Sequence, residues 1–264
     1  MATHLEFAIQ IAKQAGQLLL QHFATQGLQT SLKSDRTMVT EADLAADWLI
    51  ASAIQDHYPG EAILSEELQP AYQPNGNTKS LWVVDPLDGT TNFSLGLHLW
   101  GVLVTRLAGD SPETTAMFFP LIDECYTAQR GHGAYLNGKL LNIEPPDPDH
   151  PAPFFSCCSR TFRRYTVSVP YKTRILGSAA YSFCSVARGI AVLSFEATPK
   201  IWDIAGGWLL VKEAGGVIET LDGTEPFPLK PGTAYSRQSF PTLAAATALI
   251  ASRAHQQIQL KQSK

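Results

Sequence analysis

Residues 82–93 read Trp82-Val-Val-Asp85-Pro-Leu-Asp88-Gly-Thr-Thr-Asn-Phe93, in which an apolar run ends in two carboxylates and a turn rich in hydroxyl groups. Leu81–Val84 is predicted to be a strand, because β-branched and aromatic residues are bounded there by turn formers. Pro86 has a fixed φ angle and bends the chain, so Asp85 and Asp88 can converge on one point instead of alternating across a strand. A shared hard cation would satisfy both carboxylates.

Gly89-Thr90-Thr91 follows the two carboxylates and presents backbone N–H groups without a bulky side chain in front of them. If a helix begins there, its free N–H groups and its dipole suit a phosphate. The alternative is an ordinary surface turn, since Asp, Pro and Gly are the standard turn residues. The segment by itself leaves both interpretations open.

Two further acidic segments favour the metal interpretation. Glu66 and Glu67 follow the apolar run Ala62–Leu64, and Asp203 stands where a helix is expected to begin. Locally, the two glutamates are also compatible with a solvated turn and Asp203 with a helix N-cap. The seven histidines are scattered, with no HxH or HExxH pair to suggest zinc, so any metal is expected to have oxygen ligands.

The composition limits the classes of protein to consider. Hydrophobic residues make up 45% of the 264 residues and charged residues 17%, as in soluble globular proteins. A net charge of −4 gives no general attraction to nucleic acid or to anionic membranes. No apolar run reaches the roughly 20 residues of a membrane span, and residues 1–10 lack the pattern of a signal peptide. We therefore expect a cytoplasmic protein with reduced cysteines, and no nucleic-acid or membrane partner.

Hydrophobic periodicity predicts a mixture of helices and strands without strict βαβ alternation, which favours an α+β fold of stacked layers. Helices are predicted at Leu5–Phe23, Thr40–Ile54, Ala179–Ala187, Asp203–Ala214 and Leu243–Gln257. Strands are predicted at Ala62–Leu64, Leu81–Val84, Trp100–Thr105, Thr114–Phe119, Tyr126–Gln129, Arg174–Leu176 and Val192–Glu196. Asn137-Gly138 predicts a tight hairpin turn.

A proline-rich segment divides the chain. Five prolines fall within Glu144–Pro153, where regular structure is excluded because each proline removes a backbone donor. We expect one domain, 1–264, with subdomains of about 1–143, which carries the metal and phosphate motifs, and 154–264, which forms the substrate-binding half.

Separated motifs, in the right order, resemble those of the inositol monophosphatase family, within the magnesium-dependent, lithium-sensitive sugar phosphatases. They are Glu66-Glu67, Asp85-Pro-Leu-Asp-Gly-Thr-Thr-Asn, Gly177-Ser-Ala-Ala, Trp202-Asp203-Ile-Ala-Gly and Glu213-Ala-Gly-Gly. The resemblance spans roughly 33–216. It implies a layered αβαβα sandwich of the inositol monophosphatase and fructose-1,6-bisphosphatase type, in a homodimer.

The resemblance also implies a set of metal ligands. Glu66, Asp85 and the backbone carbonyl of Leu87 would bind one Mg²⁺, and Asp85, Asp88 and Asp203 a second, with two or three ions in each active site. Two cations about 3.5–4 Å apart can stabilise both the attacking and the leaving oxygen of an in-line displacement.

By the same resemblance, Thr90 and Asp43 would accept the proton of the attacking water, which Glu66 would orient. Gly89 and Thr90 would bind the phosphate. Asp43 also stands at the third position of a capping box begun by Thr40, and the two roles can coexist. Lys33 matches the family's basic residue near the metals.

Asp88, Ala179, Glu196 and Asp203 fall on positions that bind sugar or inositol hydroxyls in the family. The implied substrate is inositol monophosphate or a related small polyol or sugar phosphate. Histidinol phosphate and 3′-phosphonucleotides are alternatives, and a non-catalytic binding protein on the same fold is another.

Some features leave the substrate open. The segment 189–192 is apolar where many relatives carry an acidic residue, which puts myo-inositol specificity in doubt. His98 stands where relatives often have proline, and we assign it no role. The basic residues of 160–164, with Lys172 and Arg174, can either approach a second anionic group or form a solvated face.

Overall fold

Two large β-sheets and the helices beside them make up the fold in the computed structural model, which describes residues 3–24, 30–32, 38–75, 80–109, 111–144 and 154–261. The helices are α1 (His4–Ala24), α2 (Glu41–His57), α3 (Thr90–Ser94), α4 (Thr161–Arg164), α5 (Ala179–Ala187), α6 (Ile201–Glu213) and α7 (Ala248–Gln257). The first strands are β1 (Thr30–Leu32), β2 (Met38–Thr40), β3 (Ala62–Ser65), β4 (Ser80–Asp88), β5 (Gly101–Ala108), β6 (Ser111–Phe119), β7 (Glu124–Gln129), β8 (Ala134–Leu136) and β9 (Lys139–Leu141). The remaining strands are β10 (Phe154–Cys157), β11 (Tyr165–Val167), β12 (Thr173–Arg174), β13 (Ala191–Glu196), β14 (Val217–Thr220), β15 (Thr242–Ala245) and β16 (Ile258–Leu260).

The larger sheet has seven strands in the order β3-β4-β5-β6-β7-β8-β9, and only the pairing of β3 with β4 is parallel. Its central strands are apolar on both faces. Trp82 and Val84 belong to one buried cluster, whereas Leu81 and Val83 belong to another. Because side chains alternate across a strand, this sheet is covered on both faces, which explains the continuous apolar run before Asp85.

The elements stack in the order helix, sheet, helix, sheet, helix. Helices α1 and α2 cover one face of the larger sheet, where Phe7 packs at 5.4 Å from the Trp82 ring. Helices α5 and α6 lie between this sheet and the second one, whose order is β12-β10-β13-β15-β14, and α7 packs on the second sheet. The predicted αβαβα sandwich is confirmed.

Most predicted elements are confirmed, with boundaries that shift by a few residues. Helix α5 begins and ends as predicted, and α6 begins at Ile201, two residues before the expected start. The turn Asn137-Gly138 joins β8 to β9 with φ angles of 48° and 77°, the positive values that a tight hairpin requires.

The prediction of one helix over Leu243–Gln257 is wrong in its first part. Residues Thr242–Ala245 form β15, which pairs with β13 on one side and β14 on the other, and α7 begins only at Ala248. The alanines favour a helix locally, but hydrogen bonding to β13 and β14 on the two sides of this segment makes it a strand. The predicted strand over Arg174–Leu176 is also shorter, since β12 covers Thr173–Arg174.

The proline-rich segment 145–153 and Lys33 lie outside the described residues, and the division into subdomains stays a prediction. One buried cluster contains Leu103 and Met117 from one side of that segment and Phe195 and Trp202 from the other. All four cysteines are free thiols, as expected. Among the described residues, no helix is both long and apolar enough to cross a membrane.

Candidate metal centre and active site

The candidate site begins where β3 and β4 end side by side. The two strands are parallel, with Ser65 opposite Val84, so Glu66 comes next to Asp85. The backbone N–H of Glu66 donates to the carbonyl oxygen of Val84 at 3.2 Å. The pairing of β4 with β5 shifts register between Asp85 and Asp88, where Pro86 lies. The two carboxylates therefore leave the regular alternation of the strand, whereas their convergence on one shared cation stays a prediction.

Helix α6 brings a third carboxylate to the same place. Asp203 is the third residue of α6, and its carboxylate accepts a hydrogen bond from the backbone N–H of Lys200, the N-cap residue, at 2.6 Å. One carboxylate oxygen each of Glu66, Asp85 and Asp203 lies within 4.8 Å of the other two. The alternative of Asp203 as the N-cap is therefore wrong, because α6 begins two residues earlier than expected; Asp203 belongs to the acidic cluster and also bonds to the true N-cap residue, Lys200.

The cluster fits a divalent cation because burial and mutual repulsion disfavour the negative charges of its carboxylates. Burial raises the pKa of Asp85 well above its ordinary value, and the neighbouring carboxylates Glu66 and Asp203 raise it further. Burial and the same kind of repulsion raise the pKa of Asp203 to about 8. Asp85 Oδ1 accepts from the Leu87 N–H at 3.0 Å, whereas its buried Oδ2 has no hydrogen-bond partner among the described residues. A buried carboxylate oxygen that accepts no hydrogen bond and lies beside other carboxylate oxygens is a suitable ligand for Mg²⁺.

Asp88 lies beside this cluster but faces the beginning of α5. Its carboxylate accepts hydrogen bonds from the Ser178 hydroxyl, from the Ala179 N–H at 3.2 Å and from the Ala180 N–H at 3.1 Å. Burial raises the pKa of Asp88 to about 6, although these three hydrogen bonds lower it. The described geometry therefore gathers Glu66, Asp85 and Asp203, and places Asp88 between them and the α5 N-terminus.

Thr90 is the first residue of α3 and lies next to Leu87 and Asp43. Its hydroxyl oxygen is 3.1 Å from the carbonyl oxygen of Leu87 and 3.3 Å from Asp43 Oδ1, both of which can accept its proton. Asp43 is buried in the first turn of α2, so Thr90 connects two elements that are distant in sequence. Gly89 precedes it with a φ of 92°, and a Cβ atom there would lie 2.9 Å from the carbonyl oxygen of Leu99. Glycine is thus required for α3 to begin at this point.

A cavity of about 280 Å³ opens beside the cluster, and Asp203, Ala179 and Glu196 all line it. Glu196 is the buried last residue of β13. Burial raises its pKa to about 8, against hydrogen bonds from Ser182 and Cys158 that lower it. Three of the four residues predicted to bind substrate hydroxyls therefore line one cavity. The fourth, Asp88, accepts a hydrogen bond from the N–H of Ala179, which lines that cavity.

Two residues of the site had no predicted role. Asn92 and Ser178 both lie within the motifs that carried the family resemblance, yet their hydrogen bonds span segments that no local pattern connects. Arg160 lines the cavity, whereas Arg163 and Arg164 are exposed and do not. His98 is exposed.

A sequence profile described as the inositol monophosphatase family matches residues 1–259. The chain belongs to the inositol monophosphatase family. Members of this family are metal-dependent phosphatases that hydrolyse phosphoric monoesters, and the resemblance found in the sequence is confirmed.

Individual members of the inositol monophosphatase family match over most of their length. Nus factor SuhB of Pasteurella multocida is 33% identical over 241 residues, which cover 83% of this chain and 85% of the relative. Histidinol-phosphatase of Chlorobaculum parvum is 31% identical over 227 residues, which cover 82% and 85% respectively. Among solved structures, Thermotoga maritima IMPase gives a TM-score of 0.77 at 25% identity, covering 96% of this chain and 95% of that chain. Relatives with different names share the fold, so the family alone leaves the substrate open.

Proposed function

We propose that the chain is a Mg²⁺-dependent phosphomonoesterase that hydrolyses inositol monophosphate or a related small polyol or sugar phosphate. The observation that carries this proposal is the convergence of Glu66, Asp85 and Asp203 within 4.8 Å beside a cavity. Bound divalent cations would supply electrostatic stabilisation of the attacking and leaving oxygens.

The proposed ligands follow from the donor atoms at the cluster. Glu66, Asp85 and the carbonyl oxygen of Leu87 would hold one ion. Asp85, Asp203 and Asp88 would hold a second, and two or three ions would occupy each site. The unpartnered Asp85 Oδ2 supports this assignment, because a buried carboxylate oxygen without a donor is costly unless a cation meets it.

Thr90 and Asp43 are proposed to take the proton of the attacking water. The hydroxyl oxygen of Thr90 is 3.3 Å from Asp43 Oδ1, so a proton accepted by Thr90 can pass to the carboxylate. Glu66 would orient the same water. The water oxygen would bond to phosphorus as the bond between phosphorus and the ester oxygen breaks, and the leaving oxygen would take a proton from solvent water. Gly89 and Thr90 would contact the phosphate at the start of α3.

The organic part of the substrate is proposed to meet Glu196, the Ala179 N–H, Asp203 and Asp88. Glu196 is buried, and a buried carboxylate requires hydrogen-bond donors. Hydroxyl groups supply such donors, which supports a polyol. Histidinol phosphate, whose ammonium group is also a donor, and 3′-phosphonucleotides remain the alternative substrates.

The test is a substrate panel assayed with the purified full chain at increasing Mg²⁺. We expect Mg²⁺-dependent release of phosphate from inositol 1-phosphate, with a higher kcat/KM than for histidinol phosphate or a 3′-phosphonucleotide. A different ranking would reassign the substrate and leave the reaction class intact. If no member of the panel is hydrolysed with Mg²⁺, the proposal fails and a binding role on the same fold becomes the better interpretation.

Two properties that the resemblance implies, lithium inhibition and a homodimer, and the cytoplasmic location expected from the sequence stay predictions. Lithium is a small, hard cation and is expected to inhibit by competing for the carboxylate oxygens, at roughly tens of millimolar. Light scattering coupled to size-exclusion chromatography is expected to give the mass of a homodimer. Cell fractionation is expected to recover the protein from the cytoplasm.

A further inference from the structure

An arginine stands at the mouth of the cavity beside the acidic cluster. Arg160 follows β10, is exposed, and lines the same cavity as Glu196 and Asp203. It is the only basic side chain among the described residues that line this cavity. The cavity therefore combines two carboxylates on its wall with one permanent positive charge at its edge.

The position of Arg160 is fixed by contacts with the end of β13. Its Nη1 donates to the Thr198 hydroxyl at 2.9 Å. On one side of it in the chain, Cys158 Sγ accepts from the Ala197 N–H at 3.3 Å, and on the other the Thr161 hydroxyl donates to the Phe195 carbonyl oxygen at 3.4 Å. Glu196 lies between Phe195 and Ala197, so side chains on both sides of Arg160 are hydrogen-bonded to the backbone of the two neighbours of Glu196.

The guanidinium of Arg160 retains capacity for a ligand. It carries five N–H donors, and the hydrogen bond to Thr198 uses one of them. It forms no ion pair with a carboxylate in the part of the chain that the structure describes. A guanidinium matches a carboxylate or a phosphate group in shape and charge, and such pairs are frequently bidentate.

We propose that Arg160 is a specificity-determining residue that binds a second anionic group on the organic part of the substrate. Among small polyol and sugar phosphates, the preferred substrates are then those that also carry a carboxylate or a further phosphate. Glu196 and Asp203 would repel such a group from the rest of the wall, so Arg160 determines where it binds. This inference rests on the proposed function, because the ester phosphate has to occupy the metal centre.

The test uses phosphonates, which bind without being hydrolysed. In the first arm, ω-phosphonocarboxylates of three to six carbons are compared with the matching ω-hydroxyalkylphosphonates, so that each pair differs only in a carboxylate against a hydroxymethyl group. In the second arm, the matching bisphosphonates replace the carboxylate by a phosphonate. Dissociation constants are measured calorimetrically with Mg²⁺ for the wild type, Arg160→Gln and Arg163→Gln. Arg163 is the matched control, since it is exposed on the adjoining helix and does not line the cavity.

The readout is the selectivity for the anionic member of a pair. We expect a preference of about tenfold or more in the wild type, because a hydrogen bond to a charged group contributes about that much. Arg160→Gln should reduce this ratio to near one, and Arg163→Gln should retain it. Comparison of the two arms shows which anion is preferred.

The outcomes separate this inference from the proposed function. If the wild type hydrolyses the substrate panel but shows no preference for the anionic phosphonates, the role of Arg160 is refuted and the phosphatase stands. Equal loss of selectivity in Arg163→Gln would also refute it, since a general surface charge then accounts for the effect. If neither type of phosphonate binds and no substrate is hydrolysed, both proposals fall together.

Discussion

The side-chain amide of Asn92 donates to the backbone carbonyl oxygen of Leu176 at 2.8 Å, which joins the first turns after β4 to the segment that precedes α5. The same Nδ2 also donates to the Leu99 carbonyl oxygen at 2.6 Å. Gly177 follows with a φ of 78°, and a Cβ atom there would lie 2.4 Å from Asn92 Oδ1. One buried amide thus fixes the distance between Thr90 and the α5 N-terminus that holds Asp88.

Asn92→Ala is expected to lower the free energy of unfolding by about 1–3 kcal/mol, because it leaves two carbonyl oxygens without their donor. It should also lower kcat/KM, since α3 and the α5 N-terminus lose their connection. Urea denaturation and kinetics measure the two effects. Ser94→Ala is the control, because its hydroxyl only donates to Thr90 within the same helix, and little change is expected. An unchanged free energy of unfolding in Asn92→Ala would show that the two hydrogen bonds of the Asn92 amide do not stabilise the protein.

Asp85→Asn is expected to have opposite effects on activity and on metal-free stability. Turnover should fall by orders of magnitude, because the substitution removes a charge from the metal centre at nearly constant volume. In EDTA at pH 8 the variant should be more stable than the wild type by about 1–3 kcal/mol, because an amide avoids the cost of burying or protonating a carboxyl group among other carboxylates. Steady-state kinetics with Mg²⁺ measures the turnover, and thermal unfolding with and without Mg²⁺ measures the stability. The exposed Asp123→Asn is the control, and a destabilised metal-free Asp85→Asn would contradict the repulsion.

The stability of the metal-free protein is expected to fall as the pH rises from about 4 to about 8. The pKa of Asp88 is raised from 3.8 to about 6 and that of Asp203 to about 8, mainly by burial. The folded state therefore binds more protons than the unfolded state in this interval, so each deprotonation weakens it, by a few kcal/mol in total. Urea denaturation in EDTA at several pH values tests this. Mg²⁺ should flatten the dependence, and a metal-free stability that rises with pH would contradict the prediction.

Gly89→Ala is expected to destabilise the protein more than Gly96→Ala. Both glycines have a positive φ, of 92° and 73°, which costs about 1 kcal/mol for an alanine. A Cβ atom at Gly89 would in addition lie 2.9 Å from the Leu99 carbonyl oxygen, whereas nothing lies within 4 Å at Gly96. The difference in unfolding free energy between the two variants isolates the close contact. Equal destabilisation would show that the backbone at Leu99 yields without cost.

The sequence was most informative where the local pattern and the tertiary environment agree. The spacing of apolar residues predicted α1 and α2, because one face of each helix is buried in the way that its periodicity requires. The pattern failed at Thr242–Ala245, where alanines that favour a helix form a strand between β13 and β14. Pairing partners from distant segments decide such a strand, and a local window does not contain them.

The chemistry of the candidate site was also present in the sequence, because a hard cation needs oxygen donors and the order of the acidic motifs is characteristic of the family. Which carboxylates meet was decided by the fold: the parallel pairing of β3 with β4 brings Glu66 to Asp85, and the first turn of α6 adds Asp203. The hydrogen bonds from the α5 N-terminus to Asp88, the amide of Asn92 on Leu176 and the place of Arg160 at the cavity are equally tertiary. The sequence alone thus determined the kinds of atoms available, since these are fixed by residue type. Only the tertiary structure determined their neighbours, because contacts between distant segments depend on how the layers pack.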